Sequence, residues 1–402
     1  MRRIHFILIV LFLVCGNSFL YSKNKRIASV PFELTGSYIV VEVKINDSSP
    51  LKMILDTGIK NTIITELLST DSVSLVRTDT ITINGLGNEQ DLKAYQSFKN
   101  DVKIGRINFT DKNVLLMMDN TFNFTSYSGQ KINGIIGTDI LQDYIIEINY
   151  TNSRIYFYDY DGYVPPSSFV SIPATIENDK IFIYADVVNQ DLSRKKVKML
   201  IDTGAELGAW LQNIRKNSVV LPEKKRHGYI GQGLSGEILG NYTHLNQICL
   251  GPFCIKNPIV SFPDSIFISH FILRSDRDGT FGNQIMKRFN NIIDFKKPAI
   301  YLKPNFMFND KSRYNIAGIE IMKEPPFLIL AKVNKVWEDS PADKKGIKEG
   351  DIIIEVDWQK TFQMKLSEIR MLFETPRRFP LQLLVERDNQ TFEVHLDMNM
   401  TF

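Results

Sequence analysis

The chain is 402 residues long, 44% hydrophobic and 23% charged, with a formal net charge of +3. Such a length exceeds what one hydrophobic core supports and implies about two to three domains. The composition is globular, and so small a charge gives no reason to expect a nucleic-acid or anionic-membrane partner. Basic runs at 23–26, 194–196 and 224–226 are short and scattered among acidic segments, which reads as solvated loop.

At the N-terminus Arg2 and Arg3 precede an apolar run over 6–15, followed by Gly16, Asn17 and Ser18. That order reads as a secretory signal over residues 1–22, cleaved near Ser18, and predicts a periplasmic, cell-envelope or secreted protein. If the signal stays, Phe19, Leu20 and Tyr21 extend the run to an anchor of about 18 residues, the one membrane attachment expected. The bulky Val14 before Cys15 argues against lipid attachment.

From about residue 30 to 305 the chain repeats itself. Met53-Ile54-Leu55-Asp56-Thr57-Gly58 answers Met199-Leu200-Ile201-Asp202-Thr203-Gly204 at a spacing of 146 (202 − 56). Gly134-Ile135-Ile136-Gly137 answers Gly279-Thr280-Phe281-Gly282 at 145 (279 − 134), and Ile148-Asn149-Tyr150 answers Ile293-Asp294-Phe295 at the same spacing. Within each half, short alternating or apolar runs punctuated by Gly, Asn, Asp and Ser predict an all-β domain, with short helices only around 138–144 and 283–289. Two similar lobes imply a pseudo-two-fold axis with a shared site on it.

An apolar strand entering Asp-Thr-Gly delivers a carboxylate at a strand end; glycine permits the tight turn, and threonine is expected to bond the turn from below. One such tripeptide is weak evidence, whereas two in register are not chance. On these motifs the halves, about 30–305, resemble the lobes of retropepsin-like and pepsin-like aspartic proteases. The resemblance implies two duplicated β-barrel lobes, over 27–162 and 163–305, and a catalytic pair Asp56 and Asp202. Thr57, Gly58, Thr203 and Gly204 would support their loops. Two close carboxylates cannot both ionise, so they would share a proton around one water. The family's glycine-rich flaps have counterparts in Gly85-Leu86-Gly87 and in Gly231, Gly233 and Leu234. Gly231 to Gly236 also spells a dinucleotide fingerprint, but it opens no helix and lies in no βαβ unit. Ile59 and Lys60 stand where the family has a small residue, which puts the packing of the first loop in question.

Cys249 and Cys254 flank Leu250-Gly251-Pro252-Phe253, a hairpin tip that would set them about 4.5 Å apart at Cα as a cross-strand pair. A disulfide is expected, two free thiols being the alternative. His227, His244, His270 and His395 are dispersed, and neither a metal-binding spacing nor a nucleophile elbow occurs, so no metal or other cofactor is expected.

After Pro304 the pattern changes. Ala317-Gly318-Ile319, Ser340-Pro341-Ala342, Gly346-Ile347 and Glu349-Gly350-Asp351-Ile352-Ile353 resemble a PDZ domain, an α+β module over 306–402. Ser340 would cap a short helix with Pro341 first in it, and 365–374 reads as the helix flanking a groove. The resemblance implies that Gly318 and Ile319 hold a peptide's terminal carboxylate while the peptide adds to a sheet edge; a module that only packs on its neighbour is the alternative. Taken together, a monomeric aspartic endopeptidase acting on peptide or protein substrates is expected. The competing readings are a catalytically silent peptide binder of the same fold and a structural surface protein.

Overall fold

The computed structural model describes residues 24–68, 70–83, 92–118, 123–233, 236–272, 275–324, 327 and 329–399. The expected signal segment and the tripeptide Gly85-Leu86-Gly87 lie outside them, as does Leu234. Among the described residues no helix is long and apolar enough to cross a membrane.

The architecture is mainly β, two similar lobes followed by a smaller α+β module. In the first lobe strand Leu51–Leu55 runs antiparallel to Tyr38–Ile45 and parallel to Gly134–Ile136, which pairs antiparallel with Thr62–Ile64. In the second, Arg194–Ile201 runs antiparallel to Lys180–Val188 and parallel to Gly279–Phe281, which pairs antiparallel with Ala209–Leu211. Both central strands are covered on two faces where they end, and there they read as the apolar runs Met53-Ile54-Leu55 and Met199-Leu200-Ile201 rather than as alternations. The paired glycines of the repeat follow from this closeness. A Cβ at Gly134 would run into the Ile63 carbonyl, and one at Gly279 into that of Trp210.

The lobes share a sheet in the order Arg26–Pro31, Arg154–Tyr158, Ile145–Asn149, Phe289–Asp294, Ala299–Pro304 and Val170–Glu177. Ile146 faces Ile293 across the junction, and the buried apolar residues of both lobes, Phe157, Phe281 and Phe289 among them, form one continuous core. Apolar burial, at about 25 cal/mol per Å², holds the two lobes together.

The helices at Thr138–Leu141 and Asn283–Met286 fall where the sequence places them. Two others escaped the reading. Phe124–Ser128 is a single turn held by the Asn123 side chain on Ser126 N (3.1 Å) and ended by Gly129 at φ +70°, too short to show a period. Ser265–Ile272 is apolar at most positions, so its periodicity does not separate helix from strand.

The hairpin Gln247–Leu250 with Phe253–Lys256 sets Cys249 opposite Cys254; their sulfurs are bonded at 2.08 Å, with Cα atoms 4.0 Å apart. In the C-terminal module Ile319–Met322 is the edge strand, next to Ala331–Val336, Ile352–Val356, Leu381–Arg387 and Gln390–Leu396. Ser340 Oγ accepts from Asp343 N (3.0 Å) and Pro341 opens the short helix; Leu366–Phe373 is the longer one. The module does not stand free. Ile259, Tyr229 and Tyr242 of the second lobe enter its core, and Tyr242 stacks on Trp337 at 5.6 Å.

Candidate active site

Each Asp-Thr-Gly loop emerges from its central strand, and the parallel glycine strand receives it. Asp56 N donates to Ile136 O and Asp202 N to Phe281 O, both at 3.0 Å. Gly58 N donates to Asp56 Oδ1 (2.6 Å) and Gly204 N to Asp202 Oδ1 (3.1 Å). The two carboxylates meet on the pseudo-two-fold axis: a Cβ on Gly58 would overlap the Asp202 carboxylate, and one on Gly204 the Asp56 carboxylate. Glycine is thus required here by the other lobe's aspartate rather than by the turn, since neither Gly58 nor Gly204 has a positive φ.

The threonines do something the local reading did not foresee. Thr57 Oγ1 donates to Ile201 O and Thr203 Oγ1 to Leu55 O, both at 2.8 Å, and each hydroxyl accepts the other threonine's N–H at 3.1 Å. The expected bond to the turn beneath is replaced by four buried bonds between lobes, since the axis brings the opposite strand closer than the residue's own turn.

Burial, the Asp202 charge and a hydrogen bond shared with Asp202 hold Asp56 well above the usual carboxylate range. Burial raises Asp202 too, but Arg277, the bond from Asp56 and Lys180 favour its charged form. Two carboxylates this close share one proton, and the favourable charges of Arg277 and Lys180 act on Asp202. A protonated acid facing a carboxylate is an arrangement able to polarise a carbonyl and take a proton from water.

Ile59 does not disturb its loop. Its side chain packs against the cluster of Ile63, Leu92 and Leu115, while its carbonyl accepts from Thr138 N (3.0 Å). Lys60 reaches across to the other lobe's hairpin and pairs with Asp179 at 2.7 Å.

Of the flap counterparts, the hairpin Arg226–Gly233 with Gly236–His244 carries Gly231, which has open space where a Cβ would sit, and Gly233, paired with Gly236. The arms Arg77–Ile83 and Leu92–Ile104 pair up to Ile83 and Leu92, at the edge of the Gly85-Leu86-Gly87 segment.

Gly318 sits at φ +70° against Ser340, and its N–H donates to Asn315 Oδ1 (2.9 Å); Ile316 and Ala317 N–H both donate to Phe373 O. On the outer edge of Ile319–Met322, Ile319 O accepts from Asn315 Nδ2 (2.8 Å) and Ile321 O from Arg370 Nη2 (3.0 Å). Beyond it, Lys323 N donates to Ser126 O (3.0 Å) of the first lobe. Gly129 lies against Leu366, where a Cβ would come within 2.7 Å, and Asn334 Nδ2 donates to Tyr127 Oη (3.3 Å). The module's edge is therefore met from within by residues 126–129.

With this geometry in hand, residues 41–140 match the aspartyl protease family and residues 332–387 the PDZ domain. The chain carries an aspartyl protease domain and a PDZ domain. The first match spans Asp56 but ends before Asp202, whose place rests on the internal repeat and the shared axis. No curated protein matches the chain. Among solved structures, an aspartic proteinase from Irpex lacteus is similar at 14% identity, covering 71% of this chain and 99% of that one, with a TM-score of 0.45.

Sequence reading missed four residues around the protease domain's aspartates and its PDZ neighbour. Lys180 and Arg277 approach the carboxylates from the second lobe, and Glu206 links Ser37 N (3.1 Å) to Arg370 of the PDZ domain (3.9 Å). Strand pairing sets Val40 against Ile54 and Phe182 against Leu200, which places Lys180 opposite Tyr38 at a spacing of 142 (180 − 38) rather than that of the repeat; Arg277 stands opposite Ile132 at 145 (277 − 132).

Proposed function

We propose that the protein is an aspartic endopeptidase. The observation that carries this is the meeting of Asp56 and Asp202 over each other's glycine, locked by the crossed threonines. A water held between them loses a proton to Asp202 as its oxygen bonds to the peptide carbonyl carbon, while Asp56 donates its proton to the carbonyl oxygen. The tetrahedral diol then breaks its C–N bond, the proton on Asp202 passing to the leaving nitrogen and one hydroxyl proton returning to Asp56. Both carboxylates come from one chain, so a monomer is sufficient.

The protein acts outside the cytoplasm, exported as a bacterial periplasmic, envelope or secreted enzyme; the leader-like N-terminus and the Cys249–Cys254 bridge support this. The PDZ domain takes a peptide segment only when that segment displaces the bonds already made along its edge.

The test is cleavage of a denatured-protein peptide library between about pH 3 and 8 by the mature protein, Asp56→Asn and Asp202→Asn. Loss of cleavage in either variant is expected. No cleavage by folded wild type over that range would leave the cleft a peptide-binding groove without chemistry.

A further inference from the structure

The parts of the two lobes that flank the aspartates are built at equivalent positions but from different chemistry. On the first lobe, strand pairing sets Val40 opposite Ile54, Ile54 beside Ile135, and Ile135 beside Ile63, with Ile132 packed on Val40 and Ile54 and with Tyr38 and Phe124 against them. The second lobe pairs Phe182 with Leu200, Leu200 with Thr280, and Thr280 with Trp210. The same register sets Arg277 where the first lobe has Ile132, and Lys180 where it has Tyr38, each opening the second strand of its hairpin. One half is aliphatic and aromatic; the other carries two cations and a hydroxyl.

The polar groups of the second half are not neutralised locally. Arg277 is 6% exposed, its guanidinium lies over the Trp210 ring at 5.2 Å, and its Nε is buried without a partner. Thr280 Oγ1, in the layer beneath, is also buried and unpartnered. Among the described residues neither the Lys180 ammonium nor the Arg277 guanidinium has a hydrogen-bond or ion-pair partner. A buried cation left unpaired is expensive. The nearby carboxylate pair supplies one negative charge against these two positive ones. The position is fixed by the fold: Leu200 and Thr280 stand on the strands that deliver Asp202, and Asp179, next to Lys180, is held by Lys60 of the opposite catalytic loop.

We propose that the second-lobe half of the cleft, built on Lys180, Arg277, Thr280 and Trp210, is an anion subsite that takes an aspartate or glutamate side chain flanking the scissile bond. The first-lobe half takes an apolar side chain on the other flank. The planar guanidinium suits a carboxylate, the ammonium adds charge, and the Trp210 face holds the guanidinium plane in place. Specificity of this kind is directional, with acid on one side of the cut only.

This inference rests on the endopeptidase reading for its substrate, so its test has two readouts. Peptide pairs identical except for Glu or Gln at each position around the bond are compared for kcat/KM with the full chain. The same pairs, with the scissile amide reduced so that they cannot be cut, are compared for binding by fluorescence anisotropy. A charge-assisted pair in a dry site predicts a preference for Glu of about 10- to 100-fold at one position on one flank. Arg277→Gln is expected to bring the Glu-to-Gln ratio near unity, and Arg277→Lys to restore part of it. Should Arg277→Gln fail to fold, Lys180→Met, at a half-buried hairpin position, is expected to lower the same ratio. Equal binding of Glu and Gln peptides, or a ratio unmoved by these variants, overturns the subsite. Binding discrimination without any cleavage would uphold the subsite and overturn the proteolytic reading instead.

Discussion

Lys60 and Glu206 stand four residues beyond Asp56 and Asp202, and each reaches across the axis to the hairpin of the opposite lobe. Lys60 pairs with Asp179, whereas Glu206 accepts from Ser37 N and continues to Arg370 of the PDZ domain. Gly36, at φ +60°, has no room for a Cβ beside Glu206. The duplication thus keeps the contact but reverses its charge, and among the described residues only the second lobe's loop is tied to the PDZ domain. Glu206→Gln is expected to speed hydrogen exchange in both the lobe-1 hairpin and the helix Leu366–Phe373. Lys60→Gln should affect the lobe-2 hairpin alone; equal effects of the two variants on the helix would refute the asymmetry.

The crossed threonines predict a large cost for a small change. Thr203→Val leaves Leu55 O and Thr57 N buried without partners, at about 2–4 kcal/mol for the two groups together. Thr203→Ser keeps the hydroxyl and should recover most of it. Urea unfolding at neutral pH reads this directly, and a Val variant within a few tenths of wild type would show that the bonds are replaceable.

Gly129 closes the first-lobe segment against Leu366 in a left-handed conformation. Gly129→Val strains the backbone and forces the side chain into the PDZ domain, so residues 126–129 should leave its edge. The full-length variant is then expected to bind C-terminal peptides at least about tenfold more tightly than wild type, as removal of an internal competitor requires. Unchanged affinity in anisotropy titrations would mean that the edge is not the peptide site.

Burial, with the charges of Glu206 and Glu320 adding to it, pushes Glu374 up to about 7 against the opposing pull of Arg370. A carboxyl raised on folding binds more protons folded than unfolded, so its contribution is full below about pH 4.5 and is lost as the pH rises to about 7. Glu374→Gln should remove this slope, the variant gaining on wild type across that window. Asp139, raised to about 6 by burial, titrates in the same sense in both proteins and cancels in the difference. Melting temperatures between pH 4.5 and 8 that run parallel in the two proteins would contradict it.

The Cys249–Cys254 bridge closes a loop of sequence separation 5, which limits its entropic effect to about 2 kcal/mol. Cys249→Ser with Cys254→Ser should therefore lower stability modestly and leave cleavage intact. A collapse of folding would show that the bridge supports more than its own hairpin.

The sequence by itself determined what is local and repeated. The two Asp-Thr-Gly loops, the paired glycine elements, the β character of both halves, the cysteine hairpin, and the cap and helices of the PDZ domain all rest on short-range patterns. Strand pairing and turn chemistry translate such patterns directly into shape. It misjudged Thr57 and Thr203, whose hydroxyls bond the other lobe, because partners more than a hundred residues away leave no trace in spacing. It passed over Lys180 and Arg277 for a similar reason: their chemistry stands out only beside Tyr38 and Ile132, once folding has superposed the lobes. It also gave no sign that the PDZ domain's edge meets residues 126–129. Which surfaces touch is decided by tertiary packing, where the orientation of whole domains fixes the neighbours of each side chain.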